Sequence, residues 1–166
     1  MRMTPDEFFI SFVYGNYSDF EEKPDCVRRG FNAAIAASHM ADHCFEYFQK
    51  KKSKKVRRFN NIGAYVDYVS NKTEGYFKDI RSIANAFKHL YTKGPHASIA
   101  STGSIEAVTL ARGEVLEVAY EYKEEANRLT VIFTRKTGEK FELLPILAKI
   151  IDFWPKEISS FKDDNS

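Results

Sequence analysis

The chain has 166 residues, of which 43% are hydrophobic, with 14 Phe, 9 Tyr and a formal charge of only +2. This is enough apolar material for a core without a disulfide or metal staple, and the near-neutral balance excludes a whole-surface polyanion binder. The longest apolar stretches, around AAIAASHMA and LLPILAKII, fall well short of the ~20 residues a membrane span needs, so no membrane association is expected.

In chain order, Thr4, Pro5, Asp6 and Glu7 make a helix start, with a capping hydroxyl, a proline in the first turn and acids at the positive end. The spacing predicts a short helix to about Tyr14, and GNYSDFEEKPD reads as a loop. Asp6 and Glu7 stand where a secretory leader carries cations, so FFISFVYG does not read as a signal peptide. Pro24 and Asp25 open the longest helix, which runs to about Lys50. Its apolar stripe is Val27, Phe31, Ala34, Ala41, Phe45 and Phe48, with Ser38 in line, at steps of three and four. Cys26 and Cys44 share this helix at roughly 27 Å, too far apart to pair. Reduced thiols point to the cytoplasm.

The run KKKSKKVRR, residues 50–58, carries seven cations in nine positions. NNIGAYVDYVS is a third, shorter helical segment, and a fourth helix is predicted from about Thr73 to Thr92, ended by Gly94 and Pro95. The pattern then changes to SIEAVTL, VLEVAYEYKE, RLTVIFTR and KFELL, which alternate or are β-branched and are separated by turn residues. RLTVIFTR is apolar on both faces around Val131 and Ile132 and is expected at the sheet's centre. Pro145 starts a last helix bearing Leu147, Ile150, Ile151 and Trp154, which Pro155 should end or kink. The predicted class is α+β. A bundle of about four helices (1–95) is followed by a three- to four-stranded antiparallel β-meander and a C-terminal helix (96–166), all packed as one unit.

The helix IRSIANAFKHLYTKG, residues 80–94, raises the functional question. At about 100° per residue, Ile80, Ile83, Ala84, Phe87, Leu90 and Tyr91 share one side, and Arg81, Asn85, Lys88 and His89 share the other. That polar ridge has no acid of its own. A cation, an amide and an imidazole on one ridge suit gripping a phosphate and moving a proton; a solvated back face is the plainer reading. On the long helix, Arg28, Asn32, His39 and Asp42 form a polar stripe that would make one cleft with the ridge if the two faced each other. His39 and His43 are four apart and could ligate one metal from one face, or simply pack against a neighbouring helix. Lys54, Lys55, Arg57 and Arg58 of the basic run are candidate nucleic-acid contacts, against the alternative of a solvated linker. No glycine-rich phosphate loop, CxxC pair, nucleophile elbow or paired-carboxylate motif occurs, and no cofactor or metal is expected.

The segments NAAIAASHMADHCFEYF and DIRSIANAFKH, joined through a basic loop, together resemble the HEPN superfamily. More closely, they resemble helical proteins of bacteria and phages that carry an Asn-x-x-Lys-His helix. The resemblance covers roughly residues 20–95. It implies a helical bundle that commonly dimerises, and in many members a metal-independent RNase of defence or toxin systems with an Arg and a His at the active site. Residues 82–88 separate Arg81 from His89, a wider step than the family's pair, and many members without the pair only bind. The resemblance thus implies a non-catalytic interaction or RNA-binding module with RNA, a protein or a second copy as partner. The alternative is a metal-independent endoribonuclease using His89, Arg81, Asn85 and Lys88.

Overall fold

A computed structural model describes residues 3–89, 97–110 and 127–163. It is α+β, mostly helical, with a three-stranded antiparallel sheet and a closing C-terminal helix. The expected class holds.

Helix α1 (Pro5–Phe8) begins with a capping box. The Thr4 hydroxyl accepts from the Glu7 amide, and the Glu7 carboxylate takes the Thr4 N–H at 2.7 Å. The Thr4 N–H and then the Thr4 hydroxyl, both donating to the Glu7 carboxylate, lower its pKa. A π-helical turn (Phe9–Tyr14) and α2 (Gly15–Glu22) follow directly, so most of the stretch expected as a loop is helix. Its sequence carries almost no apolar repeat, and one residue does most of the anchoring: Phe20 is fully buried. Gly30 makes room for it, since a Cβ there would meet Leu143 at 2.9 Å and the Phe20 ring at 3.3 Å.

Helix α3 (Val27–Lys50) is the axis of the fold. Phe31, Ala34, Ser38, Ala41, Phe45 and Phe48 are all buried along it, as the stripe predicts. A turn containing Val56–Arg58 leads to α4 (Ile62–Lys72), capped by Asn61, whose side chain accepts from the Ala64 amide at 2.9 Å. Thr73 then joins α4 to α5 (Tyr76–His89). Its hydroxyl donates to the Val69 carbonyl and accepts from the Phe77 amide. Thr92, Gly94 and Pro95, the expected end of that helix, lie outside the described residues.

The face of α5 that turns inward differs from the wheel. Phe77, Ile80, Ile83 and Ala86 are buried together with Asp79 and Ser82, whereas Ala84 is half-buried and Phe87 is 54% exposed. Two polar contacts set this phase. Asp79 is held by the Arg135 guanidinium at 2.6 Å, and Ser82 accepts the Ser98 amide at 3.1 Å. Leu90 and Tyr91 lie outside the described residues.

Strands β1 (Ile105–Leu110), β2 (Arg128–Thr134) and β3 (Lys140–Glu142) pair in the order β1-β2-β3, with Ile105 opposite Phe133 and Phe133 opposite Phe141. β2 is central, as its double-sided apolar pattern requires, and Thr130 through Phe133 are buried. The expected strand VLEVAYEYKE lies outside the described residues. Helix α6 (Leu143–Asp163) begins two residues before Pro145 and continues through Pro155 instead of ending there. The lost hydrogen bond is offset by packing on both sides of the proline, since Trp154, Ile158 and Phe161 are all buried. One core cluster joins residues of α2, α3, α4, α5, α6 and the sheet.

Candidate functional site

The polar ridge of α5 and the polar stripe of α3 face each other. Between the two helices lies a cleft of about 520 Å³, lined by Arg81, Asn85, Phe87 and Lys88 on one wall and by Ser38, His39 and Asp42 on the other. At its floor the Arg81 guanidinium donates to Asp42 Oδ2 at 2.9 Å and to the Ser38 carbonyl at 3.2 Å. The acid missing from the ridge's own sequence is therefore supplied by α3.

The remaining ridge residues are at the surface. Asn85, Lys88 and His89 are exposed, and His89 is not among the residues lining the cleft. His39, exposed on α3, is the imidazole that borders it. Phe87 forms part of the wall, its ring 5.1 Å from that of Phe31. As an apolar residue it was assigned to the core, and no spacing signal marks it as a cleft residue. Asp42 was visible in the sequence, but its pairing with Arg81 joins positions 39 residues apart and leaves no local trace.

The two histidines four apart on α3 do different things. His43 stacks on Phe8, with centroids 4.6 Å apart, and its Nε2 lies 3.0 Å from the Met3 carbonyl. Among the described residues no three His, Cys, Asp or Glu side chains gather to hold a metal ion. Asn32 faces a neighbouring groove, while Arg28 is exposed.

The basic run divides as well. Lys54, Arg57 and Arg58 are exposed, and Lys50 pairs with Glu46 at 3.3 Å. Lys55 turns inward to Glu157 of α6 at 2.9 Å, also donates to Ser160, and lies 4.7 Å from the centre of the Phe161 ring. The Glu157 carboxylate further accepts from the Tyr65 and Tyr68 hydroxyls. Phe59, beside the run, packs on Tyr65 and Tyr68 at 5.1 Å from each. Burial, with Glu157 next in effect, raises the Tyr68 pKa; burial together with Cys44 and Glu157 pushes Tyr65 far above the usual phenol range.

Compared with protein-family models, with curated proteins and with solved structures, the chain matches none. No helix among the described residues is long and apolar enough to cross a membrane.

Proposed function

We propose that this chain is a non-catalytic, HEPN-like RNA-binding module of a bacterial or phage cytoplasm, and that the α3/α5 cleft takes a phosphate of the strand. The cleft itself carries the reading: Arg81, Asn85 and Lys88 converge on one wall, and Asp42, the only acid among the described lining residues, is already engaged by Arg81. Arg81 is thereby held in one orientation, with further N–H groups free of that contact in principle to reach an oxygen acceptor. Lys88 at the rim supplies charge, and the Asn85 amide supplies neutral donors. Lys54, Arg57 and Arg58, exposed on the turn after α3, are offered as further phosphate contacts.

Binding is favoured over cutting because Arg81 and His89 lie about 12 Å apart along the helix axis, at about 1.5 Å per residue. One scissile phosphate is poorly served by both at that distance. The nuclease alternative draws on a different observation: His39 and Arg81 border the same cleft. There, His39 would move the proton of a ribose 2′-hydroxyl while Arg81 stabilises charge on the phosphate.

One experiment addresses both readings. Labelled single-stranded RNA is titrated with purified protein at several salt concentrations, then incubated with and without EDTA and resolved on a gel. Salt-dependent binding weakened by Lys88→Ala, with RNA left intact, is the expected result. Fragments that form in EDTA and vanish with His39→Ala would establish the nuclease. No binding at low salt would remove both.

A further inference from the structure

Phe87 is an aromatic residue in a polar setting. More than half of its side chain is in water, yet its ring rests on the buried Phe31, with centroids 5.1 Å apart and planes inclined by 45°. Phe31 thus supports the ring from the core side and leaves the rest of it outward. Of the six exposed large hydrophobics among the described residues, Phe87 is the one that lines the α3/α5 cleft. Its surroundings are not those of an apolar pocket. Arg81, Asn85 and Lys88 share its helix, and Ser38, His39 and Asp42 face them from α3. At about 100° per residue, Ala84 falls between Phe87 and Arg81 on the helix surface. Ala84 is half-buried and lines the cleft, and its single methyl adds little bulk between ring and guanidinium.

We infer that Phe87 is a stacking platform for one unpaired base of the bound strand, which makes the cleft selective for single-stranded over duplex RNA. This rests on the reading that the cleft takes an RNA phosphate. A phosphate held by Arg81 and Lys88 alone would leave the Phe87 ring in water. An apolar peptide side chain would cover the ring, but it would strip water from both cations and bring no anion in exchange. A nucleotide meets both demands, because it joins a flat π surface to an anion. Its base lies on Phe87 and its phosphate reaches the cations. The Asn85 amide then offers a donor and an acceptor to a base edge. In a duplex the bases stack on one another, so only an unpaired base can lie on the ring.

The test is an anisotropy titration of the full chain with one labelled oligoribonucleotide, single-stranded or annealed to its complement, across a salt series. Wild type is expected to prefer the single strand. Phe87→Leu keeps an apolar side chain but no ring. It should weaken single-strand binding about tenfold and leave duplex affinity and the salt slope unchanged. Lys88→Ala should instead weaken both forms and lower the salt slope by about one. Phe87→Trp should keep the preference. Its added fluorescence, over that of the buried Trp154, should be quenched by the single strand and not by the duplex. That signal decides the question even if Phe87→Leu misfolds. RNA binding with Phe87→Leu equal to wild type, or with the Phe87→Trp signal unmoved, overturns the stacking role and leaves the phosphate reading intact. So does a loss in Phe87→Leu that falls equally on both forms, which marks Phe87 as support for the cleft wall. No binding of either form overturns the phosphate reading, and this inference with it.

Discussion

Arg81 on α5 and Asp42 on α3 meet at 2.9 Å across the cleft, and the Ser38 carbonyl takes a second bond from the same guanidinium nitrogen. Both side chains are roughly a third exposed or more, so water screens the pair and its net contribution to stability is at most about 1 kcal/mol. Its effect on the field of the cleft is larger, because Asp42 offsets one of the two full cations, Arg81 and Lys88, among the described lining residues.

Asp42→Asn should therefore leave the urea midpoint almost unchanged. It should also tighten RNA binding, and steepen the salt dependence by about one released counterion. Fluorescence anisotropy across a salt series reads both effects. Unchanged affinity with an intact fold would show that the strand does not reach Arg81.

Within the basic run, Lys55 should behave unlike its neighbours. Glu157 is nearly inaccessible, and Lys55 is its ion-pair partner at 2.9 Å. Lys55→Ala leaves a buried carboxylate without its counter-charge and is expected to cost about 3–5 kcal/mol in urea unfolding. Lys54→Ala and Arg57→Ala, at exposed positions, should stay within about 0.5 kcal/mol. They should instead lower RNA affinity. Equal stabilities for all three variants would mean that Glu157 is rehydrated in solution.

Helix α5 supplies a paired comparison. Phe77 is fully buried and packs edge-on to Trp154 at 5.7 Å, so Phe77→Ala should cost about 3–5 kcal/mol. Phe87→Ala should cost markedly less, since over half of that side chain is already in water. Thermal melts of the two variants decide it; a larger loss at Phe87 would mean that the helix is rotated from the face described.

Legibility follows the range of the forces involved. The buried stripe of α3 could be read because Phe31, Ala34, Ser38, Ala41, Phe45 and Phe48 repeat at helical spacing and all turn into the core. The central place of β2 was likewise written in its two apolar faces. The phase of α5 was not legible, because Asp79 and Ser82 count as exterior by type. They are buried only because Arg135 and the Ser98 amide meet them from distant sequence. α2 was hidden for a related reason: its place depends on Phe20 reaching the gap at Gly30. Both walls of the cleft were visible as polar stripes, but their apposition is a tertiary fact.

High pH should act on the cluster beneath the basic run. Burial raises the Cys44 thiol well above its ordinary range, with Glu157 adding to the effect, and burial with Cys44 and Glu157 also pushes Tyr65 far above the usual phenol range. In the unfolded chain these groups ionise near their ordinary values, about 8.5 for Cys and about 10 for Tyr. Above those values the folded state binds more protons than the unfolded one, so stability present at neutral pH is lost as pH rises. The melting temperature should begin to fall above about pH 8.5 and fall more steeply above about pH 10. Tyr65→Phe should flatten the second limb while leaving the first, and Cys44→Ala should flatten the first. Phenolate absorbance at Tyr65, taken as the difference between wild type and Tyr65→Phe, should appear only with unfolding. A Tyr65 phenolate forming near pH 10 in a chain that stays folded would show that its hydroxyl is open to water.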